Sequence, residues 1–292
     1  MRSPSSRVPS SRVAAADGVA VAVHNLGGTG PPIIFAHATG LHGLVWRTLA
    51  AHLADAFACT SFDERGHGDS GLPEDLDFDW RGFALDSLAV VDALGTAPFG
   101  VGHSSGATAL LLAEQARPGT FRALYCYEPV VVPADPPLGR DLGNWLAAGA
   151  RRRREVFASR AEARENYAGK PPFDHWSPEA LADYVEHGFA DRPDGSVRLK
   201  CRGEHEALVY EMASAHDGFG RMGEVRCPVM VARGGDTEAM SPPALTGLVE
   251  RLPDARVEVL AGLGHFGPLE DPATVAASIR AFLRTAAGAA PG

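Results

Sequence analysis

The sequence predicts an α/β fold in which a mostly parallel, doubly wound sheet carries an inserted helical cap. Short apolar runs alternate with segments of helical spacing at both ends of the chain, as expected when helices cover both faces of a parallel sheet. Between Pro133 and Met222 these strand signals stop, and Arg- and Glu-rich helical stretches replace them. The 292-residue chain is therefore predicted to form a core from residues 1–132 and 223–292 and a cap from residues 133–222.

The first part of the core is predicted to begin with a disordered tail, because residues 1–12 are rich in Ser, Pro and Arg. Alternating apolar residues at 19–24 predict an early strand, and the apolar run at 33–36 predicts a buried one. The same periodicities predict a helix at 45–54, a strand at 58–62, a helix at 83–94, a strand at 98–101, a helix at 107–115 and a strand at 123–127.

The cap is interrupted by a Pro171-Pro172 break and by a turn at residues 193–195. Core elements resume with a strand at 229–232, a helix at 243–252, a strand at 257–260 and a last helix at 272–285. Open α/β sheets bind ligands at the carboxyl ends of their strands, so we expect the cap to lie over that edge.

The charge balance narrows the expected partners. The chain has 27 Lys and Arg and 36 Asp and Glu residues, a formal net charge of −9. This balance argues against general binding to nucleic acid or to an anionic membrane surface. It also disfavours a polyanionic substrate unless a local basic pocket overrides it. We expect a small-molecule substrate, with no nucleic-acid or membrane partner, and the oligomeric state is left open.

The distribution of cysteines and the absence of long apolar runs predict the cellular compartment. The four cysteines are scattered without metal-ligand spacing, which fits a reducing compartment: Cys59, Cys126, Cys201 and Cys227. The first residues lack the apolar segment of a signal peptide, and no run of about 18 apolar residues is present. These features predict a cytoplasmic protein.

Ser104 is the candidate nucleophile. It occupies the centre of Gly102-His103-Ser104-Ser105-Gly106, between a predicted strand and a predicted helix. A Gly-x-Ser-x-Gly match alone is common, but in this context it indicates a sharp turn that exposes the serine hydroxyl at the edge of the sheet.

His265 is the candidate base, because it lies in a glycine-rich loop after the last predicted strand and before the final helix. Two acids satisfy the chain order serine, acid, histidine. Asp236 follows the strand at 229–232, and Glu128 follows the strand at 123–127. Either one can orient the histidine and stabilise the imidazolium that forms during catalysis, and both remain open at this point.

An oxyanion hole needs two backbone N–H groups aimed at the developing negative charge. The N–H of Ser105, directly after the nucleophile, is one candidate. The other candidate is the N–H of Thr39, in the loop that follows the predicted strand at 33–36.

Other polar clusters predict no metal site. The stretch from Asp63 to Gly71 alternates acids with histidine, but we expect a loop ordered by an Arg65–Asp63 salt bridge, and His37 and His42 are expected to order their loops. The basic run at residues 151–154 predicts a solvated cap helix. Several cap aromatics are candidates to line a pocket and receive no role: Tyr167, Phe173, His175, Trp176 and Tyr184.

From about Ala14 to Leu283 the chain resembles the α/β-hydrolase fold superfamily. The resemblance is carried by the His37-Ala38-Thr39-Gly40 loop, the stretch from Asp63 to Ser70, the Gly102–Gly106 turn, Gly234-Gly235-Asp236 and Gly264-His265-Phe266. It implies the α/β-hydrolase fold and a catalytic triad, with no cofactor and no metal. The sequence departs from the common pattern at His37-Ala38, where His-Gly is usual, and at Arg233–Asp236, where Gly-x-x-Asp is usual.

Around the turn, the sequence is also similar to the fungal zearalenone lactonases, which have two serines before the last glycine. Those enzymes take their acid as a glutamate after the next strand, the position of Glu128 here. The resemblance therefore supports Glu128 as the alternative acid and favours lactones as substrates.

These observations predict a cofactor-free serine hydrolase that cleaves an ester or a lactone through an acyl-enzyme intermediate. The serine nucleophile argues against haloalkane dehalogenase and epoxide hydrolase activity, whose relatives use aspartate. Three alternatives remain: a perhydrolase, a hydrolase of an activated C–C bond, and a non-hydrolytic binding protein or cyclase on the same fold.

Overall fold

The computed structural model describes residues 10–131 and 138–288 of the protein. Within these ranges eleven strands form an eight-stranded and a three-stranded sheet. The strands are β1 (Ser10–Ala14), β2 (Ala20–Gly27), β3 (Pro32–Ala36), β4 (Ala58–Phe62), β5 (Phe99–His103), β6 (Leu124–Tyr127), β7 (Val156–Phe157), β8 (Phe189–Asp191), β9 (Val197–Leu199), β10 (Val229–Gly234) and β11 (Ala255–Leu260).

The large sheet has the order β1-β2-β4-β3-β5-β6-β10-β11. β1 and β2 run antiparallel to their neighbours, and all other pairs are parallel. The carboxyl ends of six strands therefore meet at one edge, which is where this class of sheet binds ligands. This architecture is the α/β-hydrolase fold, and it confirms the fold class predicted from the sequence.

Apolar residues on both faces hold the sheet between two layers of helices. Ile33 and Phe35 of β3 belong to one buried cluster, and Ile34 between them belongs to the other. Adjacent side chains of a strand point to opposite faces, so a continuous apolar run marks a strand that is covered on both sides.

The described residues form ten α-helices: α1 (Arg47–Ala51), α2 (Trp80–Leu94), α3 (Ser105–Ala116), α4 (Leu138–Arg151), α5 (Arg160–Ala168), α6 (Pro178–Gly188), α7 (Gly203–Glu211), α8 (Pro242–Val249), α9 (Gly267–Glu270) and α10 (Pro272–Gly288). Local sequence sets both ends of α2. Asp79 accepts a hydrogen bond from the Arg81 N–H at the start of α2, and Gly95 ends that helix with a φ of 67°.

The segment between β6 and β10, which we call the cap segment, contains α4 to α7 and the small sheet of order β7-β9-β8. The expectation that this segment lacks strands was wrong. The turn around Asp194 and Gly195 connects β8 to β9, and these strands are too short, at three residues each, to show a period-two pattern.

The cap segment packs on loops that follow β3, β4 and β11. The backbone carbonyl oxygen of Tyr184 in α6 accepts a hydrogen bond from His42, Lys200 pairs with Asp69, and the Ser177 N–H donates to the Leu269 carbonyl oxygen. These loops all lie at the carboxyl edge of the parallel strands, where the sequence predicts the cap.

Ser10, Ser11 and Arg12 do not belong to a disordered tail, because they pair with β2 as part of β1. Residues 1–9 lie outside the described part of the chain, as does the predicted boundary at residue 133. The division into core and cap domains stays a prediction.

None of the described helices is long and apolar enough to cross a bilayer.

The loop after β4 is ordered differently from the prediction. Asp63 does not pair with Arg65; it pairs with His24 and accepts hydrogen bonds from the backbone of Gly43 and Asp69. The Arg65 guanidinium instead reaches α2 and pairs with Asp86 and Asp17. The donors to Asp63 come from β2, from the segment after β3 and from its own loop, and the carboxylates that pair with Arg65 lie in α2 and in the turn between β1 and β2.

Glu64 lies between these residues with its carboxyl group fully buried, and neither of its oxygens has a hydrogen-bond partner among the described residues. Burial, and then the nearby Asp86, hold the pKa of Glu64 well above its ordinary value. A buried carboxyl without donors is tolerated in its neutral form because ionisation there costs far more than in water.

We predict that Glu64 makes stability fall as pH rises. The folded state keeps this proton above the ordinary pKa of 4.5 and the unfolded state loses it, so the free energy of unfolding decreases between the two pKa values. The slope is at most about 1.4 kcal/mol per pH unit. Urea denaturation between pH 5 and pH 8 should therefore show that Glu64→Gln removes this decline. The exposed Glu74→Gln is the control; parallel curves for wild type and Glu64→Gln would contradict the prediction.

Candidate active site

Ser104 lies at a strained turn between β5 and α3. Its φ of 54° and ψ of −120° fall in a region that non-glycine residues rarely occupy. The flanking glycines are required by close contacts. A Cβ atom on Gly106 would lie 2.4 Å from the His37 carbonyl oxygen, and one on Gly102 would lie 2.4 Å from the Ala107 Cα. The sequence prediction of a sharp strand–turn–helix at this serine agrees with this geometry.

Glu128 occupies a second strained position, directly after β6, with a φ of 45°. Its side chain is fully buried and accepts three hydrogen bonds. The Gly234 N–H donates to Oε1 at 2.8 Å, and the Thr237 hydroxyl donates to Oε2 at 2.8 Å. The third donor is Nδ1 of His265, which lies 2.7 Å from Oε2.

The structure brings Glu128, not Asp236, to His265. Asp236 is exposed, and its side chain makes no hydrogen bond to a described residue. A carboxylate only accepts hydrogen bonds, so the contact with Glu128 requires the proton of His265 on Nδ1. Nε2 of His265 is then left as the basic nitrogen.

Side chains from three elements hold the His265 loop. Nε2 of His103 donates to the His265 carbonyl oxygen at 2.8 Å, and the Tyr127 hydroxyl donates to the Gly264 carbonyl oxygen at 2.8 Å. Glu270 accepts from the N–H groups of Gly264 and Phe266. The loop that carries the histidine is therefore fixed on both sides of that residue.

The His103 ring has one defined protonation state. Burial, and then the neighbouring His265 ring, hold the pKa of His103 well below its ordinary value, so the ring is neutral. Because its Nε2 faces a carbonyl oxygen, which only accepts, the single ring proton must be on Nε2. The two ring centroids lie 4.9 Å apart, which places His265 beside the residue that precedes Ser104.

Ser104 and His265 are not joined by a hydrogen bond in this structure. Ser104 is almost buried, and its N–H donates to the Tyr127 carbonyl oxygen. Hydrogen bonds between a nucleophile and its base are often long before substrate binds, so the arrangement is compatible with such a pair.

Thr39 and Ser105 lie side by side. The Thr39 hydroxyl donates to the Ser105 hydroxyl oxygen at 3.0 Å. Ser105 is the first residue of α3, so its N–H has no partner within the helix. The loop of Thr39 is held through its neighbour, because the Gly40 N–H donates to Nε2 of His67 at 3.0 Å.

Buried histidines order this region. Nε2 of His37 accepts a hydrogen bond from the Glu64 N–H, and Nδ1 of His67 contacts the Arg65 carbonyl oxygen. Burial lowers the pKa of His37 to about 3 and that of His42 to about 4, so both are neutral. Within residues 10–131 and 138–288, no three His, Cys, Asp or Glu side chains are grouped to hold a metal ion.

A cavity of about 600 Å³ lies between the Thr39 loop and the cap segment. Four of the five predicted pocket aromatics line it: Tyr167, Phe173, Trp176 and Tyr184. His175 does not line it and is largely exposed. The prediction of a solvated helix at residues 151–154 was wrong in part: Arg151, Arg152 and Arg154 are exposed, but α4 ends at Arg151 and Arg153 turns into this cavity.

Comparison with known proteins agrees with this architecture. The sequence profile of the alpha/beta hydrolase family matches residues 33–278, most of the chain.

The chain belongs to the α/β hydrolase family.

Two curated relatives from bacteria are similar over most of their length. The 2-(acetamidomethylene)succinate hydrolase of Mesorhizobium japonicum is 25% identical over 247 residues, 82% of this chain and 83% of the relative. Esterase YbfF of Escherichia coli is 25% identical over 256 residues, 86% of this chain and 92% of the relative.

Solved structures share the fold. The crystal structure of E-2-(acetamidomethylene)succinate hydrolase has a TM-score of 0.83 and 24% identity, covering 95% of this chain and 100% of that one. The peroxisomal hydrolase Lpx1 of Saccharomyces cerevisiae has a TM-score of 0.79 and 21% identity, covering 98% and 87%.

Sequence reasoning missed the residues that position the histidine and the acid. His103 directly precedes Ser104 in the chain, and this position was its only signal in the sequence. Thr237 follows the acid that the sequence offered first. Glu270 gave no signal, because its contacts with the His265 loop depend on the tertiary fold.

We predict that His103 positions His265 for hydrolysis. In His103→Phe the ring volume is kept and the donor to the His265 carbonyl is lost. The loop then shifts, and small displacements of a catalytic group cost up to about 100-fold in rate. We expect kcat to fall about 10- to 100-fold with little change in KM. His103→Gln, which keeps a donor, should recover part of the rate, whereas equal rates in the two variants would contradict a hydrogen-bonding role.

Proposed function

We propose that this protein is a serine hydrolase that cleaves an ester or lactone of a small organic molecule. Ser104 is the proposed nucleophile, His265 the base and Glu128 the acid. The observation that carries the proposal is the 2.7 Å contact of His265 Nδ1 with the buried Glu128, beside a serine on a strained turn. Of the two acids left open by the sequence, Glu128 is the one proposed here.

In the proposed reaction, Nε2 of His265 takes the hydroxyl proton as Ser104 attacks the substrate carbonyl carbon. Glu128 stabilises the resulting imidazolium through Nδ1. The backbone N–H groups of Thr39 and Ser105 bind the developing oxyanion. His265 then gives its proton to the leaving oxygen, which leaves an acyl group on Ser104. Water, activated by the same histidine, releases the acid.

Related amides are a second candidate substrate class. The Mesorhizobium japonicum relative is named for a substrate with an acetamido group. The same residues can serve an amide, because His265 then protonates a leaving nitrogen instead of an oxygen. A panel of 4-nitrophenyl esters, lactones and 4-nitroanilides distinguishes the classes.

The proposed steps use only protein side chains, backbone and water. We keep the cytoplasm as the proposed location, because all four cysteines are free and buried.

We expect a fluorophosphonate probe to label the wild-type protein at one position. Ser104→Ala should abolish both the labelling and the esterase activity, whereas Ser105→Ala should still be labelled. Mass spectrometry of the modified peptide checks the position. A wild-type protein that is not labelled would point to one of the non-hydrolytic alternatives. Peroxide-dependent halogenation in acetate buffer would indicate a perhydrolase.

We expect Glu128→Gln to lower kcat by about 10³–10⁴-fold, because the amide can stabilise neither the required tautomer nor the imidazolium. Asp236→Asn changes an exposed group and should leave kcat within about twofold, in line with ordinary surface substitutions. Steady-state kinetics on one 4-nitrophenyl ester compares the two. If Asp236→Asn shows the large loss and Glu128→Gln does not, the acid has been assigned to the wrong residue.

A further inference from the structure

The cavity beneath the cap segment has an unusual charge for an acidic protein. Arg152, Arg153, Arg154 and Lys170 line it, whereas Glu206 is the single carboxylate among its described lining residues. The chain as a whole has a net charge of −9. Cations are therefore concentrated at one concave site, where they favour anionic ligands.

Arg153 is held in this site by three hydrogen bonds. One of its terminal nitrogens pairs with Glu206, and the other donates to the Tyr167 and Tyr184 hydroxyl oxygens at 3.1 and 2.5 Å. A guanidinium has five N–H donors, so these three bonds leave two. Because both tyrosines accept from Arg153, their own hydroxyl hydrogens are free to donate. We call Arg153, Tyr167, Tyr184 and Glu206 the cluster. Its free N–H and O–H groups can donate hydrogen bonds to a ligand.

The protonation states agree with this role. Burial alone would lower the pKa of Arg153, but Tyr184 and Glu206 hold it well above its ordinary value. Burial raises the pKa of Tyr184 as well, so its hydroxyl remains a donor. A cationic fork beside hydroxyl donors is the chemistry that binds carboxylates.

The remaining cations lie at the mouth of the cavity and are exposed. Arg154 pairs with Glu162 outside the cavity, and the Lys170 ammonium donates to the neutral Asn166 and has no carboxylate partner among the described residues. Arg152 forms no ion pair with a described residue. Its neighbour Arg151 points away and pairs with Glu204 and Glu211, and so provides a matched control.

The cluster lies next to the proposed reaction centre. A Cβ atom on Gly40 would lie 2.7 Å from Glu206 Oε1 and 3.3 Å from Arg153 Nη1, so both side chains touch the loop of Thr39. Phe266, which follows His265, lines the same cavity. The cavity therefore extends from Thr39, a proposed oxyanion donor, to Arg153, so one small molecule bound in it can contact both.

We propose that the cavity binds a carboxylate of the substrate, and that the natural substrates are esters or amides with a free carboxylate on the part that enters the cap. This inference rests on the proposed hydrolase function for its kinetic test. Arg153, Tyr167 and Tyr184 hold the carboxylate, while Arg152 and Lys170 attract it at the mouth.

The test compares two esters of equal chain length, mono-4-nitrophenyl adipate and 4-nitrophenyl hexanoate. Rates of the Ser104→Ala variant are subtracted as background. The wild type should have a higher kcat/KM for the adipate ester, and added salt should reduce the preference because salt screens exposed charges. In Arg152→Gln/Lys170→Gln the ratio of the two kcat/KM values should fall at least about fivefold, whereas Arg151→Gln should leave it unchanged.

Arg153 is tested with its partner, because removing it alone would strand the Glu206 charge in a buried site. Arg153→Met/Glu206→Gln should lower the ratio by about tenfold or more, as expected for a lost charged hydrogen bond. Equal kcat/KM for the two esters in the wild type would overturn the proposal. So would a preference that neither double variant changes.

Ligand-binding measurements show whether the carboxylate site is wrong or only the proposed hydrolase function is wrong. Calorimetry measures adipate and dimethyl adipate on Ser104→Ala, which cannot turn over an ester by the proposed route. Adipate binding that weakens in the cavity variants supports the carboxylate site even if the wild type hydrolyses neither ester. Absence of adipate binding, or equal binding of the dimethyl ester, counts against it.

Discussion

The buried pairing of Glu128 with His265 is the constraint around which the site is arranged. A carboxylate in the interior must be met by donors, and Glu128 receives them from His265, Gly234 and Thr237. These donors come from the ends of β10 and β11, so the contact ties together the carboxyl edges of three neighbouring strands. In this arrangement Glu128 adopts a positive φ, and the surrounding hydrogen bonds offset the resulting backbone strain.

This pairing changes the role of the loop after β10. The sequence offers Asp236 there as an acid, but the loop contributes a backbone N–H and a threonine hydroxyl to Glu128. The Asp236 side chain remains in solvent, and its N–H donates to Leu263 in the His265 loop. The β10 loop therefore supplies donors to a carboxylate that the neighbouring strand carries, which is possible because neighbouring parallel strands end at the same edge.

The sequence predicted most of the fold because the central strands are short, apolar and buried on both faces. β3 and β6, for example, follow directly from their buried, mostly apolar residues. Contacts of long range could not be predicted in this way. Local patterns suggested an Arg65–Asp63 pair, but both side chains found better partners on other elements. The choice between Asp236 and Glu128 failed to resolve for the same reason, since both residues follow strands and only tertiary packing decides which reaches His265.

The basic run at residues 151–154 shows that the role of a charged side chain depends on where the fold places it. Consecutive arginines on a regular helix would point in different directions and remain solvated. Here α4 ends at Arg151, and the chain beyond it presents Arg153 to Glu206, Tyr167 and Tyr184 while Arg151 stays on the outside. The helix terminus therefore separates a cation that joins helices of the cap segment from cations that line the cavity. A net negative charge over the whole chain is consistent with a cationic pocket, because only the groups within about a Debye length act strongly on a bound ligand.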